Sequence, residues 1–170
     1  MSDTLAYITE LAERGYREDD APRFVAAWER LETAYFDRLS EVCAAASEWR
    51  ECFRAAAGET ARLVEEYQPQ TRFLVVDALR AGSLGQERQQ ALTRRLGLKI
   101  DAARTELLQP ESVPSSTAPW VVAMFFDRIY RRCTAEDAAD LPSQVPELLF
   151  LGISAYFGTE AGLRELLPPF

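Results

Sequence analysis

Histidine is missing from this chain of 170 residues. Its absence removes the commonest general base, the Ser-His and Cys-His nucleophile pairs, and the commonest ligand of transition metals. Carboxylate-only acid–base catalysis and an oxygen-ligand metal site stay open, but each needs a specific group of acidic residues that the sequence does not display. We therefore predict a protein that is not an enzyme, with no catalytic residue, no metal site and no cofactor.

Long apolar runs are also missing. The longest apolar stretch without a charge, residues 148–158, is far below the roughly 20 residues that a membrane-spanning helix needs. Asp3 and Glu10 stand where the basic region of a signal peptide would be. The sequence therefore predicts a cytoplasmic protein without a membrane association.

Cysteine is scarce, with Cys43, Cys52 and Cys133 only. The number is odd, no C-x-x-C pair occurs, and each cysteine lies in a segment with helical spacing, where a free thiol behaves as a small apolar side chain. We expect three buried, reduced thiols rather than a redox or metal site.

Basic residues are outnumbered, since the net charge is −8 and the isoelectric point is near 4.7. The first 20 residues hold two arginines against six acidic residues. Because affinity for nucleic acid comes mostly from Lys and Arg that neutralise phosphates, we expect no specific DNA binding by this chain.

Alternating β-type patterns and hairpin turn pairs are absent, whereas apolar residues recur every three or four positions. A hydrophobic content of 48% with 27% charged residues is typical of a globular domain with one core. The sequence predicts an all-α fold of about seven to eight helices. The predicted segments cover residues 4–14, 22–46, 47–68, 70–81, 86–108, 118–132, 142–157 and 160–167.

The sixth and seventh segments are apolar around most of their circumference. Such helices must be covered on two sides, and in a chain of this size one cover can be a second copy, which gives a symmetric homodimer. The alternative is that both helices are simply central in the monomer. The predicted dimer-interface residues are Val122, Phe125, Phe126, Ile129, Leu149, Ile153, Tyr156 and Phe157.

Several short stretches, taken together in their order and spacing, resemble a known family. They are Trp49-Arg50, Pro69, residues 73–82 (FLVVDALRAG), Arg131-Arg132, and residues 140–142 (DLP), 146–149 (PELL) and 156–161 (YFGTEA). Over residues 22–166 the chain resembles the regulatory domain of the TetR family of transcriptional regulators.

The resemblance implies a TetR-like helical bundle at residues 20–170, preceded by a short helix and an acidic linker at residues 1–19. It implies effector binding, with dimerisation through the last two long helices, and an apolar or aromatic small-molecule effector held among the second to sixth segments. Carried over by position, the pocket candidates are Trp28, Tyr35, Phe53, Leu63, Tyr67, Phe73, Leu96, Ile100, Trp120 and Met124. The alternative for each is an ordinary core residue, because helical cores also need aromatic stripes.

The helix-turn-helix head of that family is not recognisable. Residues 11–16 resemble the end of the head's first helix, and residues 20–22 then lead directly into the regulatory region. A cut or misplaced start, a lost head and an unrelated helical protein all fit this pattern. The sequence predicts a dimeric, ligand-sensing regulatory domain that does not bind DNA by itself. The alternative is a helical protein–protein interaction module without a small-molecule ligand.

Asp77 is a single acid amid apolar neighbours in the fourth segment. An unpartnered buried carboxylate is costly. We therefore expect Asp77 at a solvent edge or beside an arginine, with Arg80 on the same face.

Overall fold

A computed structural model describes residues 2–134 and 140–167, and within these ranges the chain forms helices and no β-strand. The prediction of an all-α fold is therefore confirmed for the described residues. The α-helices are α1 (Ser2–Arg14), α2 (Ala21–Cys43), α3 (Trp49–Glu66), α4 (Gln68–Val75), α5 (Gly82–Asp101), α6 (Thr117–Cys133), α7 (Leu141–Phe157) and α8 (Thr159–Leu163).

The connection from α1 to α2 is held by an ion pair. Helix α1 ends where predicted, because Gly15 adopts a positive φ of 81°. Asp20 directly precedes α2, but its carboxylate does not cap that helix. It accepts hydrogen bonds from both terminal nitrogens of Arg14, at 2.6 and 2.7 Å, and from the backbone N–H of Arg17 at 2.9 Å. The acidic linker therefore fastens α1 to the start of α2.

A disulfide joins the end of α2 to the start of α3. Cys43 and Cys52 are bonded, with their Cα atoms 4.6 Å apart, so the expectation of three reduced thiols is wrong for this pair. The turn at residues 44–48 reverses the chain and brings the two positions within disulfide range, which linear spacing cannot reveal. Cys133 is a free thiol, and burial raises its pKa to about 11.

The fourth predicted segment is not one continuous helix. Helix α4 ends at Val75, and a 3₁₀ helix follows at Asp77–Ala81. Gly82 and Gly85 lie between the predicted segments 70–81 and 86–108, yet Gly82 begins α5 and Gly85 lies inside it. A Cβ atom at Gly85 would stand 1.8 Å from the carbonyl oxygen of Ala78. Glycine is therefore required for the close approach of α5 to the 3₁₀ helix.

Helix α7 is the central helix of the C-terminal half. It packs against α3 and α6, and α8 folds back onto it. Asp140 caps α7 by accepting a hydrogen bond of 2.8 Å from the backbone N–H of Ser143. Leu148 and Ile153 are fully buried in the clusters that α7 shares with its neighbours. The chain itself thus encloses this apolar helix.

That enclosure corrects the residues chosen for a dimer interface. Five of the eight candidates are buried inside one chain, namely Val122, Ile129, Leu149, Ile153 and Tyr156. The other three, Phe125, Phe126 and Phe157, are half-buried against the same clusters. Their apolar character is therefore explained by the monomer core, which was the alternative interpretation.

Candidate functional site

A cavity of about 480 Å³ lies between the C-terminal half of α2, the start of α3, the end of α5 and the middle of α6. We call it the central cavity. Its walls are mostly aliphatic and aromatic. The large apolar side chains of the wall include Leu39, Phe53, Leu96, Ile100, Phe125 and Phe126. Alanines of α3, including Ala56 and Ala57, also line the cavity, and their small side chains leave the space between the helices unfilled.

One wall of the central cavity carries a pair of hydroxyl groups. Tyr35 of α2 and Thr60 of α3 have their oxygens 3.0 Å apart. Thr60 donates its own proton to the carbonyl oxygen of Ala56 at 2.7 Å, so Tyr35 must donate to Thr60. Burial raises the pKa of the Tyr35 hydroxyl, which keeps it protonated at neutral pH. Each donor of the pair is therefore satisfied within the protein.

The rim of the central cavity is formed by the α2–α3 turn and the last turn of α5. Ser47, Glu48 and Lys99 line the cavity and are exposed, so the cavity opens to solvent there. Trp49 fixes the rim, because its ring stacks on Phe53 with centroids 4.6 Å apart. Its indole N–H donates to the Lys99 carbonyl at 3.2 Å, and its backbone N–H donates to the carboxylate of Glu106.

The disulfide also belongs to this rim, since Cys43 and Cys52 both line the cavity. It ties together the two helix ends from which the α2–α3 turn departs. The rim is thus held by a covalent bond on one side and by the Trp49 contacts on the other.

The structure brings together four of the ten predicted pocket residues. Tyr35, Phe53, Leu96 and Ile100 all line the central cavity. Leu63 and Tyr67 line a second cavity of about 510 Å³, which lies between α1, α2, α3 and α4 and which Tyr35 also borders. Tyr35 therefore stands between the two cavities.

The other four pocket candidates lie elsewhere. Trp28 and Phe73 are 0% exposed and belong to the closed core of α1, α2 and α4. Met124 packs among α3, α6 and α7. Trp120 is 50% exposed on the outer face of α6. These four are corrected to core and surface positions, because helical spacing alone does not tell a filled core from a cavity wall.

Sequence reasoning missed several wall residues. Phe125 and Phe126 were assigned to a dimer surface, yet they face the central cavity. Thr60 and Lys99 were not singled out at all. Thr60 did leave a usable pattern, because it is a polar residue placed seven positions after Phe53 on an otherwise apolar stripe.

Asp77 lies outside both cavities. It is only 4% exposed, so the solvent-edge expectation is wrong, while the arginine expectation is confirmed by Arg80 at 3.5 Å and Arg72 at 3.7 Å. Burial raises the pKa of Asp77. Asp77 is therefore held beside arginines inside the fold and does not line the candidate site.

An open groove of about 770 Å³ runs between α5 and α6 on the outside of the fold. It is bordered by Leu79, Leu98 and Tyr130, each of which is exposed. Trp120 is exposed on the same helix as Tyr130. This face therefore exposes large apolar side chains of both α5 and α6.

No family model, no curated protein and no solved structure matches this chain. In the described ranges, no helix is long and apolar enough to cross a membrane. Nor does that part of the chain gather three Cys, Asp or Glu side chains that could hold a metal ion.

Proposed function

We propose that this chain is a small-molecule-sensing regulatory domain of the TetR type that acts as a homodimer and does not bind DNA by itself. The observation that carries the proposal is the central cavity. Its volume of about 480 Å³ falls in the range of roughly 300–1,000 Å³ usual for ligand pockets, and such pockets combine apolar walls with few polar groups. An apolar or aromatic effector fits this lining.

Helix α2 offers a route from the cavity to the N-terminal helix. Tyr35 borders both cavities, and Arg23 and Arg30 of the same helix hold α1 through Glu10 at 2.9 Å and Thr4 at 3.3 Å. A ligand that prefers one position of α2 would change the populations of α1 arrangements by the difference in its affinity for them. In a complete regulator this movement would reach the DNA-reading heads.

The outer face of α6 is the surface we assign to the second copy. Trp120, Ala123, Asp127 and Tyr130 are exposed there and are spaced symmetrically about position 125. Two antiparallel copies of α6 would place Trp120 of one against Tyr130 of the other, as an isologous interface requires. The adjoining groove between α5 and α6 is consistent with such an interface. It equally supports the second candidate function, a helical protein–protein interaction module with no small-molecule ligand.

Thermal-shift measurements with a panel of apolar and aromatic compounds test the sensing proposal. We expect at least one compound to raise the melting temperature, because a ligand at 100 times its Kd stabilises the folded state by about 2.7 kcal/mol. The shift should disappear in Ala57→Leu, which fills the central cavity, and persist in Ala26→Leu, a matched change at an exposed site of α2.

Two results would count against the proposal. If no compound shifts the melting temperature, or if Ala57→Leu responds like the native chain, the cavity is not a sensing site. Light scattering on the same samples addresses the assembly, and a strict monomer at high concentration would refute the dimer while leaving ligand binding intact.

A further inference from the structure

Lys99 is the only lysine in the chain, and the other 18 of its 19 basic residues are arginines. It lies in the last turn of α5 and lines the rim of the central cavity. Two arginines of the same helix, Arg88 and Arg95, pair with carboxylates of α2 at 3.1 and 3.2 Å. Lys99 has no carboxylate partner among the residues that the structure describes. Its ammonium nitrogen lies 5.9 Å from the centroid of the Phe36 ring.

The acidic groups around the rim are engaged with other partners. Glu48 pairs with Arg50 at 3.0 Å. Glu51 accepts the backbone N–H and the hydroxyl of Ser47 at 2.8 and 3.0 Å. Glu106 accepts the backbone N–H of Trp49. The positive charge of Lys99 is thus left uncompensated beside an apolar cavity, in a chain whose net charge is −8.

We propose that the ligand of the central cavity is an apolar molecule with a single carboxylate, and that Lys99 binds this carboxylate at the rim. The inference rests on the proposed function and names the ligand class of that same site. A lysine ammonium on its flexible stem can follow a head group at a solvent-exposed opening. The carboxylate keeps one side in water while it gains a charge-assisted hydrogen bond.

The interior of the cavity fits the other end of such a molecule. The Tyr35 hydroxyl donates to Thr60, and the Thr60 hydroxyl donates to the Ala56 carbonyl, so neither donor requires a polar ligand group. The remaining large wall side chains are apolar, and burial of an alkyl or aromatic body against them is favoured by about 25 cal/mol per Å². The carboxylate of the ligand would therefore lie at the rim, and its apolar body would lie inside the central cavity.

Calorimetric titration with decanoate and with 1-decanol tests the inference on the full chain. The two probes share an alkyl body and differ in the charge of the head group. We expect Lys99→Met to weaken decanoate binding about tenfold or more, and to leave decanol binding unchanged. Lys99→Arg should retain most of the decanoate affinity. The matched control is Arg94→Met, which removes a cation from the exposed face of α5 outside the central cavity.

The outcomes distinguish failure of the carboxylate inference from failure of ligand binding in the cavity. Equal binding of both probes to the native chain, or an unchanged decanoate affinity in Lys99→Met, would overturn the carboxylate inference and leave the cavity as a neutral ligand site. If neither probe binds, the inference falls and so does its premise that the cavity accepts apolar ligands.

A chemical readout uses the fact that no other lysine is present. An acetylating reagent specific for amines can modify only the Lys99 side chain and the terminal amine, which mass spectrometry separates. We expect decanoate to slow acetylation of Lys99 more than decanol does, while the terminal amine reacts at an unchanged rate. Equal protection by both probes would contradict a direct contact between the ammonium and the carboxylate.

Discussion

The apolar stripe of α2 packs into a closed core along its first half and borders a cavity along its second half. In the first half, Phe24 and Trp28 pack against Phe73 of α4 with ring centroids 5.1 and 6.3 Å apart, and all three side chains are 0% exposed. In the second half, Tyr35 and Leu39 border the central cavity. The opposing helix makes the difference, because α4 offers a phenyl ring to the first half while α3 offers alanines to the second. Side-chain volume across the interface decides whether a stripe becomes core or pocket.

We call the packing of the first half of α2 against α1 and α4 the closed half, and the walls of the central cavity the cavity half. Truncation of an aromatic ring in the closed half should have the largest effect on stability. We expect Phe73→Ala to lower the free energy of unfolding by about 3–5 kcal/mol, since it removes a fully enclosed ring and leaves a void. Leu96→Ala in the cavity wall should cost about 2 kcal/mol or less, because Leu96 is half-buried and already faces empty space. Urea unfolding of both variants measures the difference, and equal losses would mean that the two halves are packed alike.

The helices were largely predictable from sequence, because apolar spacing and terminal residues are local properties. Helix α1 ends at Arg14 and α7 begins at Leu141, each within one residue of the predicted segment. The linear pattern did not reveal the interruption after Val75, nor the close approach of Gly85 to the backbone of Ala78 in the 3₁₀ helix that follows. That contact joins residues of two different elements.

The site was predictable only in part, for the same reason. Tyr35 and Phe53 line the central cavity, but Trp28 and Phe73 carry the same local pattern and are plain core. The assignment of Phe125 to a dimer surface followed from treating α6 as a flank of the monomer. A single sequence does not reveal which neighbour a helix faces, nor that the turn at residues 44–48 brings two cysteines together.

Reduction of the disulfide should produce an intermediate effect confined to the cavity half. Dithiothreitol, or the double variant Cys43→Ser with Cys52→Ser, should lower the free energy of unfolding by about 2–3 kcal/mol, because a short loop is no longer closed in the unfolded chain. Hydrogen exchange should rise around the α2–α3 turn and stay low near Phe73. Cys133→Ser is the control that removes a thiol and keeps the cross-link, and it should remain sensitive to dithiothreitol. Unchanged stability on reduction would show that the rim does not depend on the bond.

The smallest effect on stability is expected from the Asp20 carboxylate, which pairs with Arg14 and connects α1 to the start of α2. Hydrogen bonds from Arg14 lower the pKa of Asp20 from 3.8 to about 2 in the folded chain, against the opposing effect of its desolvation. Because the folded pKa is the lower one, the stability from Asp20 is fully present above pH 4 and is lost as the pH falls towards 2. Asp20→Asn should therefore speed hydrogen exchange in α1 at pH 7 and make melting temperatures of variant and native chain converge between pH 4 and 2.

The matched control for Asp20→Asn is Asp19→Asn, which removes an exposed acid one position away. Asp19 contacts Arg17 at 3.5 Å, and both of these side chains are exposed. It should leave the exchange of α1 unchanged, since exposed ion pairs contribute little. If Asp20→Asn behaves like Asp19→Asn at neutral pH, then α1 is held without this ion pair, by its apolar contacts through Tyr7, Ile8 and Leu11 together with its other polar contacts to α2. The Asp20 charge would then add nothing to the contrast between the two halves, which would be one of side-chain volume.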